Sequence, residues 1–384
     1  MQTLAKTALV EKSGSCAIHV VEQSLAADDV TITCYENSVP SFVEAELDQL
    51  YQHVNSSLSH YAVRRRASAA STYVARRGGK AIAILLFKRQ KRKVNVINEM
   101  IDIAPAELER FAAYIFATYQ SVAVISFSLI GNKIGALPFP CHQYDLSEDI
   151  VVTLPATPEA YLQSLSPKTR RNVRRYLRAI AADYPSFRFE AYERENIKEQ
   201  HLRDLIELKK LNIGQKNIKF GMVDDDVNWI LQQSKLTGLV TVALIDDRVC
   251  GGSVSVQVDD HYFGQVIAYD PQYHKYSPGI LCCYQAICDQ ILRGGSESHL
   301  CWGRYQYKYK LMGVLRERAS LDIYRSRGAY CRHAGEVLVK SVKTYLQEWK
   351  KRLLDMEHEE GAEDRLGPKL VRTLRRIKRF RWAA

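Results

Sequence analysis

Ser277, Pro278 and Gly279 join a strand-like run to a helix-like run, and that placement suits the capture of an anion. Upstream, His261 to Ala268 reads as a strand. Downstream, Leu281, Tyr284, Ile287 and Ile291 recur at helical spacing within Ile280 to Arg293. Ser277 is expected to cap the helix, Pro278 to take its first position and Gly279 to let the backbone approach a ligand closely. Several N–H groups would then converge at the positive end of a helix dipole, where a phosphate is stabilised. The same three residues also suit a plain helix start, so the elements around them carry the weight.

Three short strand-like runs precede the turn: Leu239 to Ile245, Val249 to Val258 and His261 to Ala268. They are separated by Asp246-Asp247-Arg248 and Asp259-Asp260. After the helix and Gly294-Gly295, His299 to Trp302 reads as another strand. The predicted order is an antiparallel meander, an anion-type turn, a helix and a further strand.

That order resembles the core of the GNAT acyltransferases, in which the turn after the fourth strand cradles the pyrophosphate of an acyl-coenzyme A. Three segments narrow the resemblance: Tyr269-Asp270-Pro271 with Tyr276-Ser277-Pro278-Gly279, Leu165 to Arg175, and Gly303-Arg304-Tyr305-Gln306-Tyr307-Lys308. Together they are similar to the double-GNAT branch, which holds the Fem-type aminoacyltransferases and the acetyltransferase-like proteins of bacterial cellulose and other exopolysaccharides. The resemblance covers roughly residues 155 to 327.

The resemblance implies an acyl-coenzyme A, most simply acetyl-coenzyme A, held by Ala268, Tyr269, Tyr276, Ser277, Gly279 and Ile280. Backbone N–H groups near Ala268 and Tyr269 would meet the oxyanion. Tyr307 would give a proton to the leaving thiolate, and Lys308 would stabilise negative charge or act as base, with Arg304 beside them. Each also has a packing or solvated alternative: Tyr307 in a core, Lys308 in solvent, Arg304 paired with an acid such as Asp270, His274 in a loop. Relatives often carry an acidic residue where this chain has Tyr305-Gln306, so no general base is assigned. The usual turn has a second glycine where Ser277 stands.

The chain of 384 residues is 46% hydrophobic and 25% charged, ordinary for a globular protein of two or three domains. No apolar run marks a signal peptide or a membrane span, which places the expected compartment in the cytosol. Nine cysteines without metal-type spacing predict neither a metal nor disulfides. The formal charge of +11 is uneven. Eleven Lys/Arg between Ala62 and Val94, six in Lys168 to Arg178 and eight in Arg365 to Arg381, all without acids, leave −14 on the rest. Such runs are solvated faces or sites for anionic partners such as phospholipid, a phosphorylated carrier or RNA.

Along the chain, a helix is predicted over Ser41 to Val54, with Ser41 capping and Glu44 as its partner. Strands at Thr72 to Arg76, Ala81 to Phe87 and Val94 to Ile103, a helix from Pro105 to Tyr119 and a strand from Val122 to Phe127 repeat the later order. This reads as an internal duplication. In the first copy, Glu107 in the opening helical turn would repel a phosphate, so that copy is expected to be structural or substrate-binding. Ser164 to Ile180 reads as one basic helix, His201 to Leu211 and Val227 to Gln233 as helices, and Asn212 to Met222 as a loop near substrate. Ala319 to Arg325 reads as a final strand. A helix over His333 to Leu354 carries an apolar docking stripe of Leu338, Val342, Tyr345, Trp349 and Leu353.

The expected fold class is therefore α/β (α+β): two tandem GNAT-like domains, each a mixed, mainly antiparallel sheet flanked by helices, with C-terminal helices added. The boundaries read as a lead-in over 1–40, a degenerate domain over 41–150, a catalytic domain over 151–330 and a tail over 331–384. Gly367 to Ala384 is basic on one side and apolar on the other, which suits either an anionic membrane surface or docking on the body. The expected activity is transfer of an acyl group to an amine or hydroxyl of an envelope saccharide or its precursor. Two alternatives stay open: a Fem-like aminoacyltransferase fed by aminoacyl-tRNA, and a non-catalytic protein that binds an anionic glycan or lipid.

Overall fold

The computed structural model describes residues 6–7, 18–22, 29–131, 134–214, 224–301 and 303–358. The tail from Gly367 to Ala384 and most of the segment from Asn212 to Met222 lie outside them. In chain order come strands β1 (Lys6–Thr7), β2 (Ile18–Glu22) and β3 (Val30–Tyr35), helices α1 (Val43–Tyr51) and α2 (Tyr61–Ala67), and strands β4 (Ser71–Arg77), β5 (Lys80–Gln90) and β6 (Lys93–Val96). Helix α3 (Pro105–Thr118), strands β7 (Val124–Gly131) and β8 (Cys141–Thr153), and helices α4 (Pro158–Ser164) and α5 (Pro167–Asp183) follow. Next are β9 (Arg188–Glu193), α6 (Glu199–Gly214), α7 (Asp224–Thr237), β10 (Gly238–Ile245), β11 (Arg248–Val258) and β12 (His261–Tyr269). The chain continues through α8 (Pro278–Ile291), β13 (Glu297–His299), α9 (Gln306–Lys310), β14 (Val314–Tyr324), α10 (Arg327–Arg332) and α11 (Ala334–His358).

One pattern occurs twice. A meander of antiparallel strands is followed by a helix that crosses to a parallel strand: β6 to β7 through α3, and β12 to β13 through α8. The hairpins have local causes. Gly78 and Gly79 (φ 55° and 78°) turn β4 into β5, and Asp246 and Asp247 (φ 48° and 60°) turn β10 into β11. Two successive residues at positive φ make the turn whose twist matches the flanking strands. The result is the expected α/β class, mixed sheet flanked by helices.

The described residues of 1–88, 96–103 and 149–316 form one compact unit. Within it the strands run in the order β8-β13-β12-β11-β10-β9, with every residue of β10 buried. One sheet face packs Val173, Ile180, Leu281, Ile287 and Leu311 from α5, α8 and the end of α9. The other packs Leu202, Leu205 and Ile230 of α6 and α7 on Val240, Val242 and Val254. Each such side chain contributes roughly 1.5–3 kcal/mol on burial, which makes the sheet a rigid mount. The described residues of 89–95, 104–148 and 317–358 form the second unit, with strand order β6-β7-β14-β8. There Arg325 donates to the carbonyls of Phe116, Tyr119 and Val122 and so closes the C-terminal end of α3.

Several expected boundaries shift for physical reasons. Helix α1 starts at Val43 with Phe42 before it and no side-chain cap; Ser41 does not cap it. The basic helix starts at Pro167 and not at Ser164, because Ser166 accepts from Thr169 N–H (3.2 Å) as its cap; Ser164 ends the separate α4. The strand expected over Val94 to Ile103 stops at Val96, where Asn98 takes over: its Oδ1 accepts from Leu86 N–H (2.7 Å) and its Nδ2 donates to Ile84 O (3.4 Å). Likewise, β13 ends at His299. The first thirty residues, which lack clear periodicity, include β2, whose partner is β3. On α11, Leu338, Val342, Tyr345 and Trp349 are 49–66% exposed, so the predicted docking stripe faces outward.

Candidate active site

The site begins with a defect in a strand. β12 pairs with β13 over only three residues, His261 to Phe263, while it continues along β11 to Tyr269. Its register with β11 slips by one at Gln265, a β-bulge next to the point where β13 departs. Beyond the bulge the two parallel strands splay, leaving an edge of β12 without a strand neighbour among the described residues. Asp270 N–H donates to Cys250 O (2.9 Å), so alternation turns the backbone of Ala268 toward β11 and that of Ile267 and Tyr269 toward the gap.

Two side chains of α6 occupy that edge. Asn212 donates to Tyr269 O (2.7 Å) and accepts from Tyr269 N–H (3.0 Å), and Lys209 Nζ donates to Ile267 O (3.2 Å). This corrects the oxyanion assignment: Ala268 is buried and faces β11, and the Tyr269 N–H is committed to Asn212. Ile267 N–H is the amide left facing the cleft. Lys209, Asn212 and Ile267 escaped sequence reading, which treated Asn212 as the start of a loop. Only the polar character of Asn212 at an apolar helix face hinted at its role.

The turn after β12 is a 3-10 helix, Pro271–Tyr276, capped by Asp270, whose carboxylate accepts from Gln272 N–H (3.0 Å). Asp270 thus serves the turn. Ser277 then takes φ 51°, and its side chain makes no capping bond. Its carbonyl instead accepts from Ile280 and Leu281 N–H (3.0 and 3.3 Å). With Pro278 lacking an N–H, Gly279 N–H remains at the helix start, fewer donors than expected. Ser277 and Arg175 beside Tyr176 of α5 lower its phenol pKa, and Arg175 lies 4.9 Å from its ring. Gly279 has a packing role not expected from sequence. A Cβ there would lie 3.0 Å from Cε1 of Tyr269 and 3.2 Å from Cδ1, so the space is held by the ring. Tyr276 is buried in the core with its hydroxyl on Asp183, which also pairs with Lys275 (3.0 Å). It anchors the turn and does not line the cleft.

A cleft of about 550 Å³ runs along these parts, lined by Lys209, Asn212, Ile267, Tyr269, His274, Ser277 to Ile280, Tyr305 and Tyr307 among others. Of the expected cofactor residues, Tyr269, Ser277, Gly279 and Ile280 meet there; Ala268 and Tyr276 do not. Tyr307 lies on the short helix α9, half-buried, and its burial raises its pKa, so its phenol stays protonated. Lys308 is buried, donates to Cys301 O (3.0 Å) and sits 5.7 Å from the Tyr305 ring. It lines a second cavity with Tyr307. Arg304 lines neither. Cys283 and Cys301 beside these residues are thiols pushed up to about 12 by burial, unsuited to nucleophilic attack at neutral pH.

Below the splay, His53, Asp149 and His299 bring ligand-type atoms within 4.8 Å, as do His261, Glu297 and His299. Their hydrogen bonds describe a proton network. Asn55 N–H donates to His53 Nδ1 (3.1 Å), which leaves the His53 proton on Nε2, facing Asp149 at 3.8 Å. His261 Nδ1 is taken by Gln52 O (2.9 Å). His299 Nδ1 donates to Asp149 (2.6 Å), and its Nε2 faces Glu297 at 3.4 Å, which Arg316 also pairs. Burial would lower the His299 pKa, but the two carboxylates outweigh it and raise it, which favours the charged ring.

The basic runs differ in fate. Arg64, Arg66 and Arg76 of the first pair with Glu44, Glu99 and Glu46. On α5, Arg171, Arg174, Arg175 and Arg178 are exposed and line an open groove. No described helix is long and apolar enough to cross a membrane.

Residues 167–309 match the family described as acetyltransferase (GNAT) domain. Comparison with curated protein sequences finds no match. Among solved structures, FemX is similar at TM-score 0.55 and 10% identity, over 76% of this chain and 98% of its own. L-PGS from Bacillus licheniformis shares 13% identity over 75% of this chain and 92% of its own, at TM-score 0.44. A tandem GNAT protein from the clavulanic acid biosynthesis pathway shares 11% over 77% and 98%, at TM-score 0.38. The domain match and the parallel crossover with splayed strands lead to one conclusion: residues 167–309 form an acetyltransferase (GNAT) domain, within a chain whose fold is similar to that of FemX.

Proposed function

We propose that the chain transfers an acyl group from acyl-coenzyme A to an amine or hydroxyl, the acceptor being an envelope saccharide or its precursor. The observation that carries the reading is the cleft itself. A splayed edge with the Ile267 N–H, a helix start with the Gly279 N–H and the Tyr307 phenol all border one volume. A thioester carbonyl laid along β12 would meet the Ile267 N–H as its oxygen gains charge. The protonated Tyr307 phenol would donate to the departing thiolate, while Gly279 N–H and the helix dipole face the diphosphate. The acceptor supplies its own nucleophile, and no side chain is assigned as its base. Tandem domains over 41–150 and 151–330, with the second catalytic, fit this reading. Titration calorimetry with acetyl-coenzyme A and longer acyl forms tests it: binding at micromolar to millimolar concentration is expected, and none at millimolar removes the donor.

A second reading has its own support. The arginine face of α5 adjoins the turn through the Tyr176–Ser277 contact, a larger basic surface than a coenzyme needs. An aminoacyl-tRNA donor would use it, and its binding would fall steeply with salt. Filter binding with tRNA from low to high salt separates the two donors; a flat response rejects the RNA.

A further inference from the structure

The second cavity, about 220 Å³, shares Lys209, Ile267, Tyr305 and Tyr307 with the cleft and extends from it beneath the splay. Its walls are unusual for a protein interior. Ser253, Ser255, Gln290, Ser298 and His299 line it, none more than 6% exposed. Buried polar side chains are nearly always partnered, and one that is not calls for an explanation such as a bound molecule. Gln290 is that case. Its Nε2 donates to Ser255 Oγ (3.2 Å), but its Oε1 is fully buried without a hydrogen-bond partner. Turning the amide over exchanges which end is orphaned and removes nothing. Cys283, Ala286 and Ile287 of α8 supply an apolar side to the same cavity.

An apolar void of this size would suit an alkyl chain; a void with an orphaned amide suits a group that can bond to it. Resting on the acyl-coenzyme A reading, we propose that this cavity receives the acyl group and selects one bearing a hydroxyl or amine over an unsubstituted alkyl chain. The carbon stem lies along Cys283 and Ile287, and the substituent meets Gln290. Because the cavity shares Lys209, Ile267, Tyr305 and Tyr307 with the cleft, its occupant can arrive attached to the molecule held there.

The test is calorimetry on the full chain with coenzyme A, butanoyl-coenzyme A and 3-hydroxybutanoyl-coenzyme A. The hydroxyacyl form is expected to bind at least about tenfold tighter than the alkyl form, since a site built for a hydrogen bond rejects the analogue lacking it. Gln290→Leu should bring the two near parity while leaving coenzyme A binding unchanged. Should that variant not fold, Ser255→Ala, which frees the other end of the amide, should also narrow the ratio. If coenzyme A binds and the parent treats both acyl forms alike, the cavity holds water alone and the selection is overturned, while the donor assignment stands. If neither coenzyme A nor its thioesters bind, the donor assignment falls and takes this proposal with it.

Discussion

The side chain of Asn212 bonds both backbone groups of Tyr269, donating to its carbonyl at 2.7 Å and accepting from its N–H at 3.0 Å. A single amide thereby substitutes for a neighbouring strand at the end of β12. The free edge that a splay creates is satisfied without being covered, and the cleft stays open.

Asn212→Ala should therefore cost stability and ligand together. Each buried backbone group left unpaired costs about 1–3 kcal/mol, so the urea midpoint should fall. Acyl-coenzyme A affinity should fall with it as the end of β12 loosens. Asn212→Asp keeps the acceptor for the N–H but sets a carboxylate against the Tyr269 carbonyl, and should be no better. A variant with unchanged midpoint and unchanged affinity would show that the strand end holds its place by other means.

At Gly279, size and charge can be separated. Gly279→Ala tests size alone, pressing on the Tyr269 ring at 3.0 Å, and should cost modest stability. Gly279→Asp adds a negative charge to a helix N-terminus, which offsets part of that cost by about 0.3–1 kcal/mol. The same charge opposes a phosphate. The expected signature is an aspartate variant at least as stable as the alanine variant but binding acyl-coenzyme A more weakly, compared by thermal melts and calorimetry. Equal affinity in the two would move the diphosphate away from the turn.

The His299 network predicts a pH dependence with a definite sign. Asp149, Glu297, His53, His261 and Arg316 face the ring. The raised folded pKa of His299 gives stability that is complete below the unfolded value, near 6.5, and lost as pH rises through the folded pKa. Burial would raise the Glu297 pKa, but hydrogen bonds from His299 and Arg316 bring it to about 2, so its contribution is present above the unfolded value and lost toward pH 2. Asp149, also lowered, behaves alike. Against the parent, His299→Gln should lose most stability at pH 5 to 6 and progressively less toward alkaline pH in parallel melts. A difference that grows with pH would contradict the charged state.

Much of the second half was legible because its strands are short, apolar and punctuated by Asp-Asp turns, and its helix keeps a clean period from Leu281 to Ile291. Ser277 and Gly279 are read from the turn itself and Tyr269, Ile280 and Tyr307 from the family resemblance; all five line the cleft. What sequence could not supply was contact at long separation. Asn212 and Tyr269 lie 57 residues apart, and Asp149 and His299 lie 150 apart, so no local pattern marks either pair. Ser277 misled for a different reason: a serine before Pro-Gly signals a cap, yet the preceding 3-10 turn forces it to positive φ, where its side chain cannot reach the helix. The resemblance puts the oxyanion amide near Ala268 and Tyr269; beyond the slip at Gln265, Ala268 instead turns its backbone to β11.

That slip governs more than an assignment. Phe263 packs with Val256, whereas beyond Gln265 it is Val266 and Ala268 that pack with Val254 on the same face. The odd positions of β12 give way to the even ones across a single residue. The cleft is thus written in chain length as much as in chemistry. Removing Gln265 would leave Ile267 opposite Ser253, its amide still turned away from β11, but would erase the bulge beside which β13 departs. The opening of the cleft therefore hangs on one supernumerary residue, whatever side chain that residue carries.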